Sequence, residues 1–372
     1  MKIAIFTQGV ESGTFLVLCA ALCHAFEQNG VEEIDVLYIV DAEIPIHFFP
    51  AYVKFNKINA KKAAMSVIGL ATYLKDNNPN IMISMPAFIN IPSIIAKLIS
   101  GWKGKLIITE HATMSFKAYV EHKGEFVMGN MPTFAKLFYR FSDALVGVSA
   151  GVIEDLRTNI GVKIDRMVSI SNPVNSTFVL AKSEVLVDIH PWLLSSQIPC
   201  FVAVGRLVIQ KDFVSLLEAF SIAKKKTDIR LLIIGDGPLR SLLQKQIQAL
   251  SLENFVQLLG FVDNPYPYMK RSSGLVLSSV EEAFGLVIVE ALVIGIPVVA
   301  VDSIGGGPRE ILNNGEYGIL VPSNNVAALA HGMLSLLEPS KSTLFSTKAK
   351  KRADFFSCQN IGKKWINFIE SL

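Results

Sequence analysis

The sequence predicts an α/β protein of two doubly wound domains, each a parallel sheet flanked by helices. Short β-branched runs alternate with longer helical ones from the start of the chain, as in Lys2–Thr7, Thr14–Gln28 and Asp35–Val40, the pattern of strands joined by crossover helices. A length of 372 residues exceeds what one core ordinarily holds, so two domains are expected. Late in the chain, Phe284 to Val301 is almost wholly apolar yet carries Glu290 in its middle. A buried carboxylate left unpaired costs several kcal/mol, so something must receive it.

Composition narrows the class. Hydrophobic residues make up 51% and charged residues 18%, which describes a densely cored globular chain and excludes a disordered one. The net charge of +3 is too small to argue for nucleic acid. Lysines outnumber acids locally, with eleven lysines between Lys54 and Lys136 against Asp76, Glu110, Glu121 and Glu125. That surplus is either a solvated face or a surface for anionic lipid or a phosphorylated acceptor. Cys19, Cys23, Cys200 and Cys358 form no Cys-x-x-Cys pair and read as buried thiols in a reducing compartment. The apolar run Thr14–Phe26 follows a strand and lacks a basic leader beyond Lys2, so it reads as a helix and not a signal peptide. Pro86, Asn90, Pro92 and Lys97 break the run Ile81–Ile99, and no transmembrane helix is expected.

In the first half, Lys2–Thr7 is a buried strand and Gln8–Gly13, with Gly9, the loop at its carboxyl end, where open α/β sheets bind ligands. Thr14–Gln28 is a helix ending at Asn29-Gly30, and Asp35–Val40 a strand. Ile44–Phe55 is irregular and aromatic, either an acceptor- or membrane-facing surface or a locally packed segment. Lys61–Asn77 is a helix, Ile81–Ser84 a strand, Ile91–Ile99 a helix and Lys105–Thr109 a strand whose carboxyl end delivers Glu110 and His111. Phe116–Pro132 has no clear period and reads as an acceptor loop. Pro132–Phe141 is a helix, Asp143–Val148 a strand, and Ser149 caps the helix Ala150–Thr158. Val168–Ser171 and Asn172-Pro173-Val174-Asn175 close the domain.

Residues 176–199 read as a linker punctuated by Pro191 and Pro199. Cys200–Val204 opens the second domain as a strand, followed by Gly205-Arg206-Leu207 and Gln210-Lys211-Asp212. A planar cationic fork and a point charge thus lie in the loop after the domain's first strand, suited to a phosphate-bearing ligand or to surface salt bridges. The helix Phe213–Lys225 follows, then strand Arg230–Ile234. Gly235-Asp236-Gly237-Pro238 lets a ligand approach the backbone and starts the helix Leu239–Leu250. Val256–Leu259 is a strand with Gly260-Phe261-Val262-Asp263 after it, Tyr266–Lys270 a short helix and Gly274–Ser278 a strand. From Gly285 the chain reads as helix to Ile294, with Gly295 as its left-handed stop and Pro297 opening the strand Val298–Val301. The N–H groups of Gly285, Leu286 and Val287 then form an anion site, with Phe284 at its edge and Glu282 and Glu290 on either side for hydroxyls. A sugar nucleotide has that arrangement of anion and hydroxyls. Gly318–Val321 is the last strand, Val326–Leu337 a helix, and Ser340–Leu372 a basic then aromatic tail.

The spacing of Glu282, seven residues and Glu290, followed by Ala291, Gly295, Pro297 and Gly-Gly-x-x-x-Glu ending at Glu310, resembles the retaining glycosyltransferases of family four. An ordinary helix and strand, with Glu290 merely capping or pairing, leaves Glu282 and the glycine turn unexplained. The resemblance covers Gly205 to Pro322 strongly and the first domain through its pattern and His111. It implies the GT-B fold: Rossmann-like domains at 1–175 and 200–345 facing a cleft, a linker at 176–199, and C-terminal helices at 346–372 packing back on the first domain.

It also implies roles. Arg206 and Lys211 bind the donor diphosphate, Glu282 the donor sugar, Glu290 the ribose hydroxyls and His111 the transferred sugar. Gly9, Gly205, Gly235 and Phe284 to Val287 line the donor site, and main-chain groups at Phe261 and Val262 hold a base, uracil favoured. The family's hinge commonly has Asp where Asn175 stands, so Asn175 receives no catalytic role. The expected enzyme is a retaining hexosyltransferase using a UDP-sugar and no cofactor or metal, since no Asp-x-Asp occurs. Its acceptor is expected to be a lipid-linked or cell-envelope saccharide, as in lipopolysaccharide or polysaccharide synthesis, and its place the cytoplasm, peripheral on the inner membrane face. A nucleotide-sugar epimerase and a catalytically silent partner in a membrane assembly are the alternatives; the Arg206, Lys211, Glu282 and Glu290 set speaks against the second.

Overall fold

A computed structural model of the protein describes residues 1–9, 13–40, 43–194 and 197–372. Residues 10–12 of the first loop and 195–196 of the expected linker lie outside the described residues. The chain forms two compact units, Met1–Asn175 with Phe356–Leu372, and Ser176–Phe355.

The first unit holds a seven-stranded sheet: β1 (Lys2–Phe6), β2 (Glu33–Tyr38), β3 (Lys54–Lys57), β4 (Ile81–Ser84), β5 (Lys105–Glu110), β6 (Ala144–Gly147) and β7 (Met167–Ser169). Their order is β3-β2-β1-β4-β5-β6-β7, and the ladders between them are parallel, including those of β1 with both β2 and β4. Ile3, Ile5, Ile83, Ile107 and Val146 form its core with Cys19, Cys23 and Phe26 from the helix Gly13–Glu27. The helix Cys358–Glu370 closes this core through Ile361 and Trp365. A Cβ on Gly362 would stand 2.2 Å from the Ala25 carbonyl oxygen, so these two helices approach backbone to backbone.

The second unit holds six parallel strands: β8 (Cys200–Val204), β9 (Arg230–Ile234), β10 (Val256–Gly260), β11 (Gly274–Leu277), β12 (Val298–Val301) and β13 (Ile319–Val321). Their order is β10-β9-β8-β11-β12-β13. Phe201 is buried with Leu217, Phe220, Leu231, Ile233, Val276 and Val299 in one core. In each sheet the strand order reverses once, between β1 and β4 and between β8 and β11. Ligands of open α/β sheets bind at the carboxyl ends of the strands at such reversals.

Three differences from the sequence reading bear on how the units are built. Lys54–Lys57 is an edge strand, hidden in the sequence because its lysines face outward at a sheet edge. Its aromatic neighbours pack locally: Phe49 is buried edge-on to Phe55 at 5.0 Å, and the Tyr52 hydroxyl donates to the Val31 carbonyl at 2.7 Å. Within 176–199, Ser176–Ser183 is a helix of the second unit with Val179 buried. Finally, the helix Pro339–Asp354 belongs to the second unit, where Arg352 Nε donates to the Ile311 carbonyl at 2.8 Å. Only from Phe356 does the tail join the first unit, starting with a bond from the Val174 amide to the Phe356 carbonyl at 2.8 Å. All four cysteines are buried and free. No helix among the described residues is long and apolar enough to cross a membrane.

Candidate functional site

The reversal in the second sheet places two loops side by side, Gly205–Lys211 after β8 and Ser278–Gly285 after β11. They are bound together. The Lys211 ammonium pairs with the Glu282 carboxylate, their side chains 18% and 12% exposed. Ser279 Oγ donates to the same carboxylate oxygen at 3.2 Å, and Ser278 Oγ donates to the Lys211 carbonyl at 2.8 Å. The Val280 amide donates to the Gln210 carbonyl at 3.0 Å. Arg206 is exposed on the same loop; among the described residues it makes no ion pair. A fixed cation paired with an acid, and a free guanidinium beside it, can exchange their solvent and acid contacts for phosphate oxygens.

The helix Leu286–Ile294 begins at Gly285, which has φ 97°. That left-handed conformation suits glycine. The entry is braced from behind, because a Cβ on Gly307 would lie 2.1 Å from the Phe284 carbonyl oxygen, so the glycine turn sits directly against it. The helix start leaves its first N–H groups without intrahelical acceptors and carries partial positive charge. Gly235 follows β9, its amide bonded to the Gly260 carbonyl at 2.8 Å. Phe261, after β10, is exposed.

Glu290, in the second turn of this helix, accepts a hydrogen bond from the Tyr266 hydroxyl at 2.9 Å. Burial pushes its carboxyl up to about 7, and the Tyr266 bond works in the opposite direction. Burial, then the charge of Glu290, raises Tyr266 in turn. Tyr266 is thus the receiver that the apolar run required. The sequence offers no sign of it beyond a tyrosine after Asn264-Pro265.

In the first unit, His111 follows β5 at the sheet's carboxyl edge. Thr109 Oγ1 lies 2.8 Å from His111 Nε2 and donates to the Ser84 carbonyl at 2.8 Å. His111 Nδ1 is buried and has no hydrogen-bond partner among the described residues. Burial lowers this imidazole to about 4, and Phe15 stands edge-on to it at 5.7 Å. Thr109, His111, Met85, Leu18, Asn172 and Trp365 line a cavity of about 20 Å³, room for about one water. Glu110, beside it, is buried and accepts from the Tyr139 hydroxyl and from Asn90 Nδ2 at 2.9 Å. Asn90 Nδ2 also donates to the Thr109 carbonyl at 3.0 Å, and Asn90 Oδ1 accepts from Ser84 Oγ at 2.6 Å. Burial pushes Glu110 up to about 7, against the bonds from Tyr139 and Asn90.

The sequence-derived residues therefore fall into two groups. Gly205, Arg206, Lys211, Gly235, Phe261, Val262, Glu282, Phe284 to Val287 and Glu290 are in the second unit, and Gly9 and His111 in the first. Lys211 and Glu282, expected to hold different parts of a ligand, are partners of one ion pair. Tyr266, Ser279 and Thr109 carry no such signal in the sequence, and Glu110 shows only as the strand-end neighbour of His111, since each acts through a hydroxyl or carboxyl whose direction only the fold sets.

Residues 190–352 match the family model described as Glycosyl transferases group 1. A Campylobacter jejuni protein named N-acetylgalactosamine-N,N'-diacetylbacillosaminyl-diphospho-undecaprenol 4-alpha-N-acetylgalactosaminyltransferase is 30% identical over 285 residues, 76% of this chain and 74% of that one. Among solved structures, Anabaena HepE in complex with UDP-glucose aligns over 100% of both chains with a TM-score of 0.79 and 20% identity. The lipopolysaccharide outer core galactosyltransferase WaaB, in its apo form, aligns over 100% of this chain and 99% of its own with a TM-score of 0.75 and 20% identity. These likenesses establish the GT-B fold, and with the Campylobacter relative matched over most of its length, the chain belongs to the glycosyl transferases group 1, the family-four glycosyltransferases that its Glu282, Glu290 and glycine elements resemble.

Proposed function

We propose that this protein transfers a hexose or N-acetylhexosamine from a UDP-sugar to a hydroxyl of a lipid-linked or cell-envelope saccharide, with retention of configuration and without a metal. The observation that carries the reading is the juxtaposition of Arg206, the Lys211–Glu282 pair and the open helix start at Gly285 on the two loops of one strand reversal. In the reaction the bond from the sugar's anomeric carbon to the diphosphate breaks, the bond from that carbon to the acceptor oxygen forms, and the acceptor proton passes to the departing phosphate oxygen. Negative charge grows on the diphosphate. Arg206, Lys211 and the N–H groups from Gly285 to Val287 stabilise it in this reading, the task a divalent cation performs in other transferases.

Glu282 takes donor-sugar hydroxyls, Glu290 the ribose hydroxyls and His111 a sugar hydroxyl. Main-chain groups at Phe261 and Val262 hold the base. The diphospho-undecaprenol in the Campylobacter relative's name supports a lipid-linked acceptor, and the UDP-glucose bound to HepE supports the donor. An exposed apolar and basic surface at 119–141 supports peripheral attachment to an anionic membrane: Tyr119, Val120, Phe126, Val127, Leu137 and Phe141 are all exposed, interleaved with exposed Lys123, Lys136 and Arg140.

Calorimetric binding of UDP, GDP and ADP to the wild type and to Glu290→Ala tests the donor half. Selective binding of UDP, lost or sharply weakened in the variant, is expected. Equal binding of all three would remove the preference for uracil, and UDP binding that ignores the substitution would remove the assignment of Glu290.

A further inference from the structure

The geometry points to Thr109 as a positioning residue that holds His111 in the tautomer protonated on Nε2, leaving Nδ1 as a bare acceptor for an O–H donor. The Ser84 carbonyl can only accept, and it lies 2.8 Å from Thr109 Oγ1, so the single hydroxyl proton of Thr109 is directed there. What Thr109 then presents to His111 Nε2, at 2.8 Å, is a lone pair. The bond forms only if Nε2 carries the hydrogen. Burial keeps the ring neutral, so Nδ1 has none.

The support of this clamp is itself fixed. Asn90 Nδ2 holds the Thr109 carbonyl at 3.0 Å while Asn90 Oδ1 accepts from Ser84 Oγ at 2.6 Å. The two residues that set the Thr109 hydroxyl are thus tied to each other through one amide, and rigid supporting contacts of this kind preorganise a site.

Nδ1 is a buried acceptor without a partner among the described residues, and buried polar atoms in folded proteins are almost always bonded. The group that completes it must bring a proton. A phosphate oxygen or a carbonyl is excluded by that requirement, and an alcohol or water is admitted. The cavity beside His111, about 20 Å³, has room for about one water. The choice of a sugar hydroxyl as the donor rests on the proposed function; the tautomer does not.

The tautomer is read directly by nitrogen-detected histidine NMR on the full chain without ligand. The chain has 6 histidines, and the His111 signals are assigned by their loss in His111→Asn. The expected result is a neutral ring with an unprotonated Nδ1 in the wild type, unchanged in Thr109→Ser and converted to a tautomer mixture in Thr109→Val. A wild-type ring protonated on Nδ1, or a Thr109→Val ring that keeps the wild-type tautomer, would overturn the clamp. The fold of the first unit, which carries Thr109, is checked by circular dichroism and urea unfolding of each variant, and that of the second unit by UDP binding. With Thr109→Val still binding UDP, sugar transfer should fall by about tenfold or more and recover in Thr109→Ser. Full transfer by His111→Ala would instead remove the sugar-hydroxyl contact while leaving the tautomer result standing.

Discussion

Lys211 and Glu282 lie 71 positions apart and close an ion pair across the strand reversal of the second sheet. The pair makes Glu282 a competitor of any anion that approaches Lys211. Glu282→Gln should therefore bind UDP at least as tightly as the wild type while transferring sugar more slowly, because the carboxylate proposed to hold the sugar is gone. Lys211→Ala should lose both, with turnover down about 10²-fold or more. Titration calorimetry and initial rates separate the two cases. Weaker UDP binding in Glu282→Gln would contradict the competition.

The elements of the proposed site are largely legible in the sequence because they are marked by residues of special type at fixed spacing. Glu282 and Glu290 stand out in an apolar stretch, and Gly285, Gly295 and Gly307 mark turns that the backbone requires. The helix from Leu286 to Ile294 and its two glycine ends fall within one residue of the sequence reading. What cannot be read is anything decided by where a hydroxyl points. Tyr266 satisfies Glu290 from a separate helix, and Thr109 faces His111 only because β5 ends in the register it does. Lys54–Lys57 escapes notice for a different reason: an edge strand of four residues, two of them lysines, has no apolar alternation to show.

With Glu290 as the proposed partner of the ribose hydroxyls, its bond from Tyr266 should make donor binding depend on pH in a way that can be shifted. Glu290 titrates near 7 because burial outweighs the hydrogen bond from Tyr266. The ionised carboxylate is the better acceptor for ribose hydroxyls, so UDP affinity should rise as pH increases through about 7. Tyr266→Phe removes a bond that favours the carboxylate, and the midpoint of that rise should move to higher pH. An unmoved midpoint, measured by UDP calorimetry from about pH 6 to about pH 9, would detach Tyr266 from the donor site.

Glu110 should leave its mark on stability. Its carboxyl is raised from 4.5 to about 7, so the folded state binds the proton more tightly than the unfolded chain does. Its contribution is fully present below the unfolded value and is lost as pH rises through about 7, a change of about 3 kcal/mol. Glu110→Gln keeps the size of the side chain and cannot ionise. The stability difference, variant minus wild type, should therefore increase between about pH 5 and about pH 8 by an amount of that order. His111, lowered to about 4 by burial, acts with the opposite sign and stabilises the fold less as pH falls. Urea denaturation of both proteins across this range isolates the Glu110 part, and a difference that stays flat with pH would show that Glu110 remains ionised throughout.

The surface at 119–141 gives the last prediction. On the helix Met131–Phe138 and the turn after it, Lys136, Leu137, Arg140 and Phe141 are exposed at helical spacing, so cations and apolar groups share one stripe. The acids of the segment are already engaged: Glu121 pairs with Lys117, and Glu125 bonds His122 Nδ1 at 3.0 Å. The remaining charge is positive. An anionic bilayer complements it, since each cation near such a surface contributes about 1 kcal/mol and apolar side chains enter the interface. The full chain should float with phosphatidylglycerol vesicles at low salt and not with phosphatidylcholine vesicles. Phe126→Ser combined with Leu137→Ser should abolish flotation without altering UDP binding, because Phe126 is 81% exposed and Leu137 51% exposed and neither supports the core. If the wild type ignores anionic vesicles, or the double variant floats as well as the wild type, this surface does not attach the protein to membrane.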